Sequence, residues 1–472
     1  MVSKPSELFS RLPSVNDLLE KPPVRALVDR WNRSAVADGV RSFLVELRSD
    51  IERRAADFQM PSFREIAERA ARHVAAQRQS AVRPAVNATG RFFGPECRSL
   101  PLADVALERM ISVSRGFLIN PRGLSSAVSQ LCQLSGAESG LVVGSYSGAV
   151  SLSLSALAGE REVVVARCDL GELADGASLA RLAPASGVRL QEVGAVNRAA
   201  AADYEAAIGE RTAAILHHAP ERYRVEGDVA CVELDALVGL ARDRELPLIE
   251  LLGSAPICGN LPALAAELDS ATARLASGAH LVVLRGDGLV GGPKCGILLG
   301  TRTIIERVAA HPLAAAWSAD PATLAALEAT LALYDDHQQL TLSVPLYQLL
   351  ATSIENLRQR AERLAPQLAE AVDVASAAAI ECDGRLGLAN VSKDELSSWA
   401  IALTPVDGNV ESLDKRLRSA PVPIIAARCE NRLLLNLRTV LPRQDQTLVD
   451  MVAGVPTAVE ENASETAAIA GA

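Results

Sequence analysis

Short β-branched runs alternate with Ala- and Leu-rich helical stretches from Val86 onward, and this alternation restricts the fold more than any other feature of the chain. Strands that alternate with helices are typical of a mostly parallel sheet with helices on both faces. We therefore predict a large α/β domain. Its strands are predicted at Leu141–Val143, Glu162–Ala166, Arg189–Val193, Ala213–Leu216, Pro247–Leu252, His280–Leu284 and Gly296–Leu299.

The segments on either side of this domain have a different pattern. Apolar residues recur at three- and four-residue steps from Val15 to about Gln79, which predicts a small helical module. A helical stretch at Pro321–Tyr334 leads into strands predicted at Ser398–Leu403, Val422–Ala427 and Arg432–Leu437, which indicate a smaller α+β domain. The predicted domains are a helical N-terminal domain at 1–85, the large domain at 86–335, a C-terminal domain at 336–455 and a disordered tail at 456–472.

Composition indicates a soluble, cytoplasmic chain. Hydrophobic residues make up 49% of the sequence but aromatic residues only 3%, so the core must be aliphatic. No apolar run reaches the roughly 20 residues of a membrane-spanning helix, and the polar N-terminus is unlike a signal peptide. The eight cysteines stand singly, a pattern that fits reduced thiols better than disulfides or a zinc site. The adjacent His217 and His218 would point to opposite faces of a strand, so we expect no metal site.

Charge is distributed unevenly along the chain. Residues 1–85 carry 15 Lys/Arg and 11 Asp/Glu, a balance of +4, so the total of −10 leaves −14 for the remainder. A slightly basic segment on an acidic body is suited to contact a polyanion. An ordinary helical surface of mixed charge explains the same numbers equally well.

Ten segments form a consistent series from about residue 11 to 445. They are Leu12–Val15 with Leu18–Leu19, Val86–Gly90, Leu134–Glu138, Glu192–Gly194 with Asn197–Arg198, Tyr223–Arg224, Leu252–Ser254, Gly291–Pro293, His311–Leu313, Leu324–Leu331 and Leu433–Leu441. Together they resemble the bacterial L-seryl-tRNA(Sec) selenium transferase (selenocysteine synthase) family. The resemblance implies a fold-type-I, aminotransferase-like large domain, an N-terminal domain that faces tRNA and a ring-shaped homo-oligomer. It also implies pyridoxal 5'-phosphate as cofactor and selenophosphate as donor.

A Gly- and Ser-rich turn follows an apolar strand and opens a helix where the family binds the cofactor. Backbone N–H groups and hydroxyls at such a turn are available to an anion at the positive end of the helix. The residues differ from the Asn- and Ala-rich turn of the family, and a turn without any ligand is an equally good interpretation. The predicted phosphate cradle consists of Gly144, Ser145, Tyr146, Ser147 and Gly148.

The Schiff-base lysine of the family is absent from its expected position. The family pattern before Gly-Gly-Pro is Ser-Gly-Asp-Lys-Leu, and here the segment 285–289 reads Arg-Gly-Asp-Gly-Leu, so Gly288 stands where the lysine belongs. Glycine has no amine with which to form the imine. Lys294 is the one lysine in the predicted large domain, and it lies beyond a Gly-Gly-Pro turn that is expected to direct it elsewhere.

The partner of the pyridine nitrogen is altered as well. The family has Glu-Asp-Leu-Gly-Ser at a strand end, and here Leu251 takes the aspartate position, while Ser254 is retained among the cofactor-binding residues. Glu250 is no simple substitute, because successive strand residues point to opposite faces. Without an anion at this position, the ring would lose its role as electron sink.

The site for the substrate anion is depleted. The family carries a cluster of Lys and Arg after His-Pro-Leu, but residues 314–318 here read Ala-Ala-Ala-Trp-Ser. Arg167, Arg198 and Arg224 remain at matching positions and are candidates for binding an anion. Arginines that pair with carboxylates would give the same pattern.

Three functional hypotheses follow from these residues. In the first, the chain is an active selenium transferase or related enzyme that uses Lys294. In the second, which we favour, it is a catalytically impaired homologue, a pseudoenzyme, that retains the fold and assembles with itself or with tRNA. In the third, it binds a phosphorylated metabolite non-covalently in the predicted cradle. If the rest of the pocket is intact, Gly288→Lys with Leu251→Asp is expected to restore cofactor binding.

Overall fold

The computed structural model describes residue 9 and residues 12–53, 60–78, 82–96, 99–118, 126–259, 269–390 and 394–454. The chain divides into two compact units, Met1–Pro84 and Ala85–Ala472. The predicted disordered tail at 456–472 lies outside the described residues.

The first unit is a bundle of helices with its own apolar core. Its described helices are α1 (Val15–Leu19), α2 (Pro22–Arg30), α3 (Arg33–Arg53) and α4 (Phe63–Arg78). Ser14 caps α1, since its hydroxyl accepts the N–H of Asp17 and the Asp17 carboxylate accepts the N–H of Ser14. The apolar residues that recur at helical spacing form the core, with Leu18, Val40 and Ile51 fully buried.

The second unit is built on a seven-stranded sheet. Its strands are β2 (Ser139–Val143), β3 (Glu162–Ala166), β4 (Arg189–Val193), β5 (Thr212–His218), β6 (Leu248–Gly253), β7 (Leu281–Arg285) and β8 (Gly296–Gly300). They lie in the order β2-β8-β7-β6-β5-β3-β4, in which β8 runs antiparallel to both neighbours and all other pairs are parallel. The prediction of a mostly parallel sheet is confirmed.

Helices cover this sheet on both faces and continue into the C-terminal part. They are α5 (Asp104–Ser114), α6 (Ser126–Ser135), α7 (Tyr146–Ala158), α8 (Leu179–Ala185), α9 (Ala201–Ala207), α10 (Leu234–Asp243), α11 (Ala271–Ala276), α12 (Arg302–Ala309), α13 (Leu313–Ala316), α14 (Pro321–Ala332), α15 (His337–Ser343), α16 (Pro345–Ala351), α17 (Ile354–Ala369), α18 (Val410–Arg418) and α19 (Asp445–Ala453). In the described ranges, no helix combines the length and apolarity needed to cross a membrane.

A second sheet of five strands forms the C-terminal part. Its strands are β1 (Val86–Ala88), β9 (Val374–Arg385), β10 (Glu395–Pro405), β11 (Ile424–Cys429) and β12 (Arg432–Asn436), in the order β1-β11-β12-β10-β9. β1 pairs in parallel with β11, so the first strand of the unit is built into the sheet of its last residues. The residues after β1 and β9 thereby come to lie beside the large sheet.

Candidate functional site

A cavity of about 700 Å³ opens beside the carboxyl ends of the parallel strands. In doubly wound sheets this edge is where ligands bind, because the connecting loops there leave a crevice. Loops after β3, β5, β6 and β7 form one wall, and residues from the five-stranded sheet form the other. The lining residues that bear on function are Arg91, Asp175, Glu221, Arg222, Tyr223, Arg224, Ser254, Arg285, Asp287 and Lys294.

A buried ion pair forms part of the cavity floor. Arg285 ends β7 and donates from Nε and Nη2 to the two carboxylate oxygens of Asp287, at 2.9 and 2.8 Å. Its Nη1 donates to the carbonyl of Ala174 at 3.0 Å. Both charged side chains are less than 10% exposed, with 8% for Arg285 and 6% for Asp287. A two-pronged pair of this kind fixes the loop after β7 firmly.

A second buried carboxylate lies beside this pair. Glu221 accepts the hydroxyl of Ser254 at 2.8 Å and also its backbone N–H. Burial raises the pKa of Glu221 to about 7, although the bonds from Ser254 and the charge of Arg285 oppose the shift. Gly253 has a φ of +55°, and a Cβ there would collide with the Glu221 carboxylate, so this approach requires glycine.

The predicted phosphate cradle has the expected backbone geometry, but its N–H groups have acceptors within the chain. The turn opens α7 as predicted, and the Ser145 hydroxyl accepts the N–H of Gly148 at 3.1 Å. The carboxylate of Asp175 accepts the N–H of Ser147 at 2.9 Å. A protein carboxylate therefore lies at the positive end of this helix, where the sequence interpretation placed a ligand anion.

The side chain of Trp317 lies against the same turn. A Cβ at Gly148 would be 2.9 Å from the indole Cε3, and Gly144 donates its N–H to the Trp317 carbonyl at 2.7 Å. Trp317 belongs to the segment in which the family carries cations. Trp317 is 37% exposed, and its apolar ring lies against the turn where the resemblance implied positive charge.

Gly288 is buried and tightly packed. A Cβ at this position would lie 2.6 Å from the backbone Cα of Ser254 and 3.0 Å from both the Ser254 carbonyl oxygen and Arg285 Cγ. Leu289 donates its N–H to the same carbonyl at 2.8 Å, which fixes the loop against the end of β6. Two of the three contacts are to backbone, which cannot rotate away.

Leu251 and Glu250 lie as the strand pattern predicted. Leu251 is 1% exposed and belongs to the apolar core beneath α7. Glu250 points to the opposite face, where its carboxylate bonds to Nδ1 of His217 at 3.0 Å and lies 3.8 Å from the Arg274 guanidinium. Burial lowers the pKa of His217, but the charge and hydrogen bond of Glu250 raise it by more. No group of residues in the described ranges has the arrangement of a metal site.

Lys294 and Arg91 are exposed cations at the cavity wall. Neither forms an ion pair among the residues that the structure describes. The expectation that the Gly-Gly-Pro turn directs Lys294 elsewhere is wrong, because the turn leaves its side chain on the cavity wall.

Of the three arginines predicted to bind a substrate anion, the structure brings one to the cavity. Arg224 lines it and donates from Nε to the Ala389 carbonyl at 3.0 Å. Arg167 instead bonds to Glu192 and to the Gly194 carbonyl, and Arg198 forms a two-pronged pair with Asp228. These two arginines lie outside the cavity lining, and their role in binding an anion stays a prediction.

Sequence reasoning missed the carboxylates of the floor. Asp175, Glu221 and Asp287 reach the cavity from loops after three different strands. A signal was present in the polar loops that follow β3 and β5, since loops at the carboxyl edge of a parallel sheet are where functional residues gather.

Comparison with known proteins gives the family. Residues 122–441 match the L-seryl-tRNA selenium transferase family, and residues 9–48 match the N-terminal family of selenocysteine synthase. The chain belongs to the L-seryl-tRNA(Sec) selenium transferase family. Members of this family depend on pyridoxal phosphate.

Relatives in this family match almost the whole chain. The L-seryl-tRNA(Sec) selenium transferases of Yersinia enterocolitica and Klebsiella pneumoniae are each 32% identical and cover 93% of this chain and 97% of their own. That of Geotalea daltonii is 31% identical over 95% of this chain and 99% of its own. Among solved structures, D-glucosaminate-6-phosphate ammonia-lyase superposes with a TM-score of 0.57 at 19% identity, covering 79% of this chain and 95% of that one. The fold is that of the fold-type-I pyridoxal-phosphate enzymes.

Proposed function

We propose that this chain is a selenium transferase homologue that does not perform Schiff-base chemistry and acts as a tRNA-binding, self-assembling protein. The packing at residue 288 is the observation that carries the proposal. The position holds no amine, and a Cβ there would lie 2.6 Å from the backbone of Ser254. The family's lysine therefore has neither its functional group nor space for its side chain.

The rest of the pocket supports the same conclusion. Leu251 is an apolar core residue at the position of the ring-nitrogen partner, and Asp175 occupies the N-terminus of α7. Positions 288 and 251 therefore do not fit pyridoxal phosphate bound as an imine at residue 288. When bound, that group supplies an electron sink, and this pocket offers no carboxylate at residue 251 to maintain it.

Borohydride reduction in the presence of pyridoxal phosphate tests the proposal. Incubation with excess pyridoxal phosphate followed by borohydride is expected to leave no reduced imine on any lysine, as judged by peptide mass spectrometry. A reduced pyridoxyl label on one lysine at one equivalent per chain would overturn the proposal. Lys294→Gln, which removes an amine from the cavity wall, shows whether any label depends on that amine.

The relatives are named for their action on L-seryl-tRNA(Sec), and the first unit is the part of this chain that we propose contacts tRNA. Arg69 and Arg72 lie three residues apart on α4 and are both exposed, so they share one helix face. Cations arranged in this way bind phosphates and release counterions.

Titration of tRNA at increasing salt concentration tests this contact. We expect Arg69→Gln with Arg72→Gln to weaken binding and to lower the slope of log K against log salt by about 1 per lost contact. The control pair Arg242→Gln with Arg244→Gln removes two exposed charges from the second unit and is expected to change neither. The RNA role fails if wild-type protein binds tRNA no better than heparin.

One observation favours a second candidate, an active pyridoxal enzyme. Lys294 lines the cavity and forms no ion pair among the described residues, so its amine is available to an aldehyde. The borohydride experiment separates the two candidates, since this one requires the label on Lys294 and its loss in Lys294→Gln.

A further inference from the structure

We infer that Asp175 and Trp317 are specificity-determining residues that exclude phosphate from the cavity, because Asp175 supplies the anion that α7 would otherwise take from a ligand. This deepens the proposed function and rests on it for the location of the site. It concerns whether a phosphorylated molecule binds at all, whereas the proposed function concerns whether an imine forms.

The hydrogen bonds at the N-terminus of α7 are the first step. A helix of 13 residues presents free N–H groups and partial positive charge at this end. Here the Asp175 carboxylate accepts the N–H of Ser147 at 2.9 Å, and the Ser145 hydroxyl accepts that of Gly148 at 3.1 Å. A phosphate would have to displace a carboxylate that is covalently part of the protein.

The loop that carries Asp175 holds it in place, which is the second step. The other carboxylate oxygen accepts the N–H of Ala177 at 3.3 Å, and the neighbouring Ala174 carbonyl accepts Nη1 of Arg285 at 3.0 Å. The carboxylate is therefore positioned by its own loop and by the buried ion pair, and is no freely rotating surface group.

Charge on the cavity floor is the third step. Burial lowers the pKa of Arg285, but the hydrogen bond and charge of Asp287 and the charges of Glu221 and Asp175 raise it by more. Asp287 already forms a two-pronged pair with that guanidinium. A dianion placed beside the Asp175 carboxylate meets repulsion from its negative charge.

Steric cover by Trp317 is the fourth step. Its indole lies against Gly148, at 2.9 Å from where a Cβ would be, and its carbonyl takes the N–H of Gly144. The two ends of the turn are thus engaged by one residue, and the space in front of the turn is partly filled by an apolar ring.

Calorimetric titration with inorganic phosphate, pyridoxal phosphate and pyridoxal tests the inference. Wild-type protein is expected to bind inorganic phosphate and pyridoxal phosphate no more tightly than the phosphate-free pyridoxal. Asp175→Ala with Trp317→Ala is expected to bind both phosphate compounds at least tenfold more tightly than wild type, with pyridoxal unchanged. Glu306→Ala, which removes an exposed carboxylate on α12 that does not line the cavity, is the matched control and is expected to gain nothing.

The outcomes separate this inference from the proposed function. Tight phosphate binding by wild-type protein, or no gain in a double variant whose circular dichroism and melting match wild type, would overturn the exclusion. Asp175→Asn serves as a second variant that keeps the size of the side chain while removing its charge, and it is expected to give part of the gain. A reduced imine on Lys294 with phosphate still excluded would refute the proposed function and leave this inference standing.

Discussion

Gly288→Ala tests the packing on which the functional proposal depends. The added Cβ would lie 2.6 Å from Ser254 Cα and 3.0 Å from the Ser254 carbonyl oxygen. Overpacking of this kind costs about 1–3 kcal/mol, and the lower chain entropy of alanine in the unfolded state returns about 0.4–1 kcal/mol. We therefore expect the free energy of unfolding to fall by about 1–2 kcal/mol.

Urea denaturation of wild type and variant measures this change from the shift of the midpoint at constant slope. Gly209→Ala is the control, because nothing lies within 4 Å of a Cβ at that position, and it is expected to leave stability unchanged or slightly raised. If Gly288→Ala is as stable as the control, the site has room for a side chain and the argument from packing is wrong.

The same geometry revises an expectation from sequence. Gly288→Lys with Leu251→Asp was expected to restore the cofactor in an intact pocket, but position 288 has no space and the cradle already holds a carboxylate. We now expect this double variant to be destabilised and to form no imine, as its absorption spectrum with added pyridoxal phosphate will show.

Three further predictions concern buried charge. Burial raises the pKa of Glu221 from 4.5 to about 7, so wild-type protein should lose about 3 kcal/mol of unfolding free energy from this group as pH rises from 4.5 through 7. Glu221→Gln should remove that decline in urea denaturation, and an unchanged pH profile would contradict it. Glu250→Gln leaves His217 without its carboxylate and should cost about 3 kcal/mol near pH 6. The loss should shrink near pH 8, because stability tied to a raised histidine pKa disappears as pH rises through that pKa; an equal loss at both pH values would refute the pairing. Leu251→Asp, which buries an unpaired carboxylate in the core, should cost at least about 4 kcal/mol by thermal or urea unfolding, and near-wild-type stability would show that the residue faces solvent or a cation.

The large sheet was predictable because its strands are buried on both faces. The sequences of such strands are continuous runs of β-branched and aliphatic residues. The predicted bounds of β3 and β4 agree with those in the structure. β9 was missed because its sequence, VASAAAIECDGR, is rich in alanine and alternates irregularly between exposed and half-buried positions. β1 was missed because it has three residues and is stabilised by pairing with β11, more than 330 positions away, which no local pattern reveals.

Some residues of the candidate site could likewise be identified from the sequence, and others could not. Gly288 and Leu251 were identifiable because their motifs align with the family residue by residue. Asp175 and Glu221 were not, because their roles depend on loops from separate strands meeting at one sheet edge. Lys294 shows the limit of turn-based reasoning, since its direction after the Gly-Gly-Pro turn is decided by packing of the whole loop.

Three positions that depart from the family pattern each make a separate contact within the protein, and these contacts favour the interpretation that the chain does not form an imine. Gly288 packs on the Ser254 backbone, the α7 N-terminus bonds to Asp175, and Leu251 is part of the core. If only the lysine had been lost, the other cofactor-binding positions would be unchanged, and a lysine reintroduced at residue 288 would find a complete site. Under the proposed function, each of these three positions has a protein contact of its own, so a single substitution is not expected to create a site for an imine-bound cofactor.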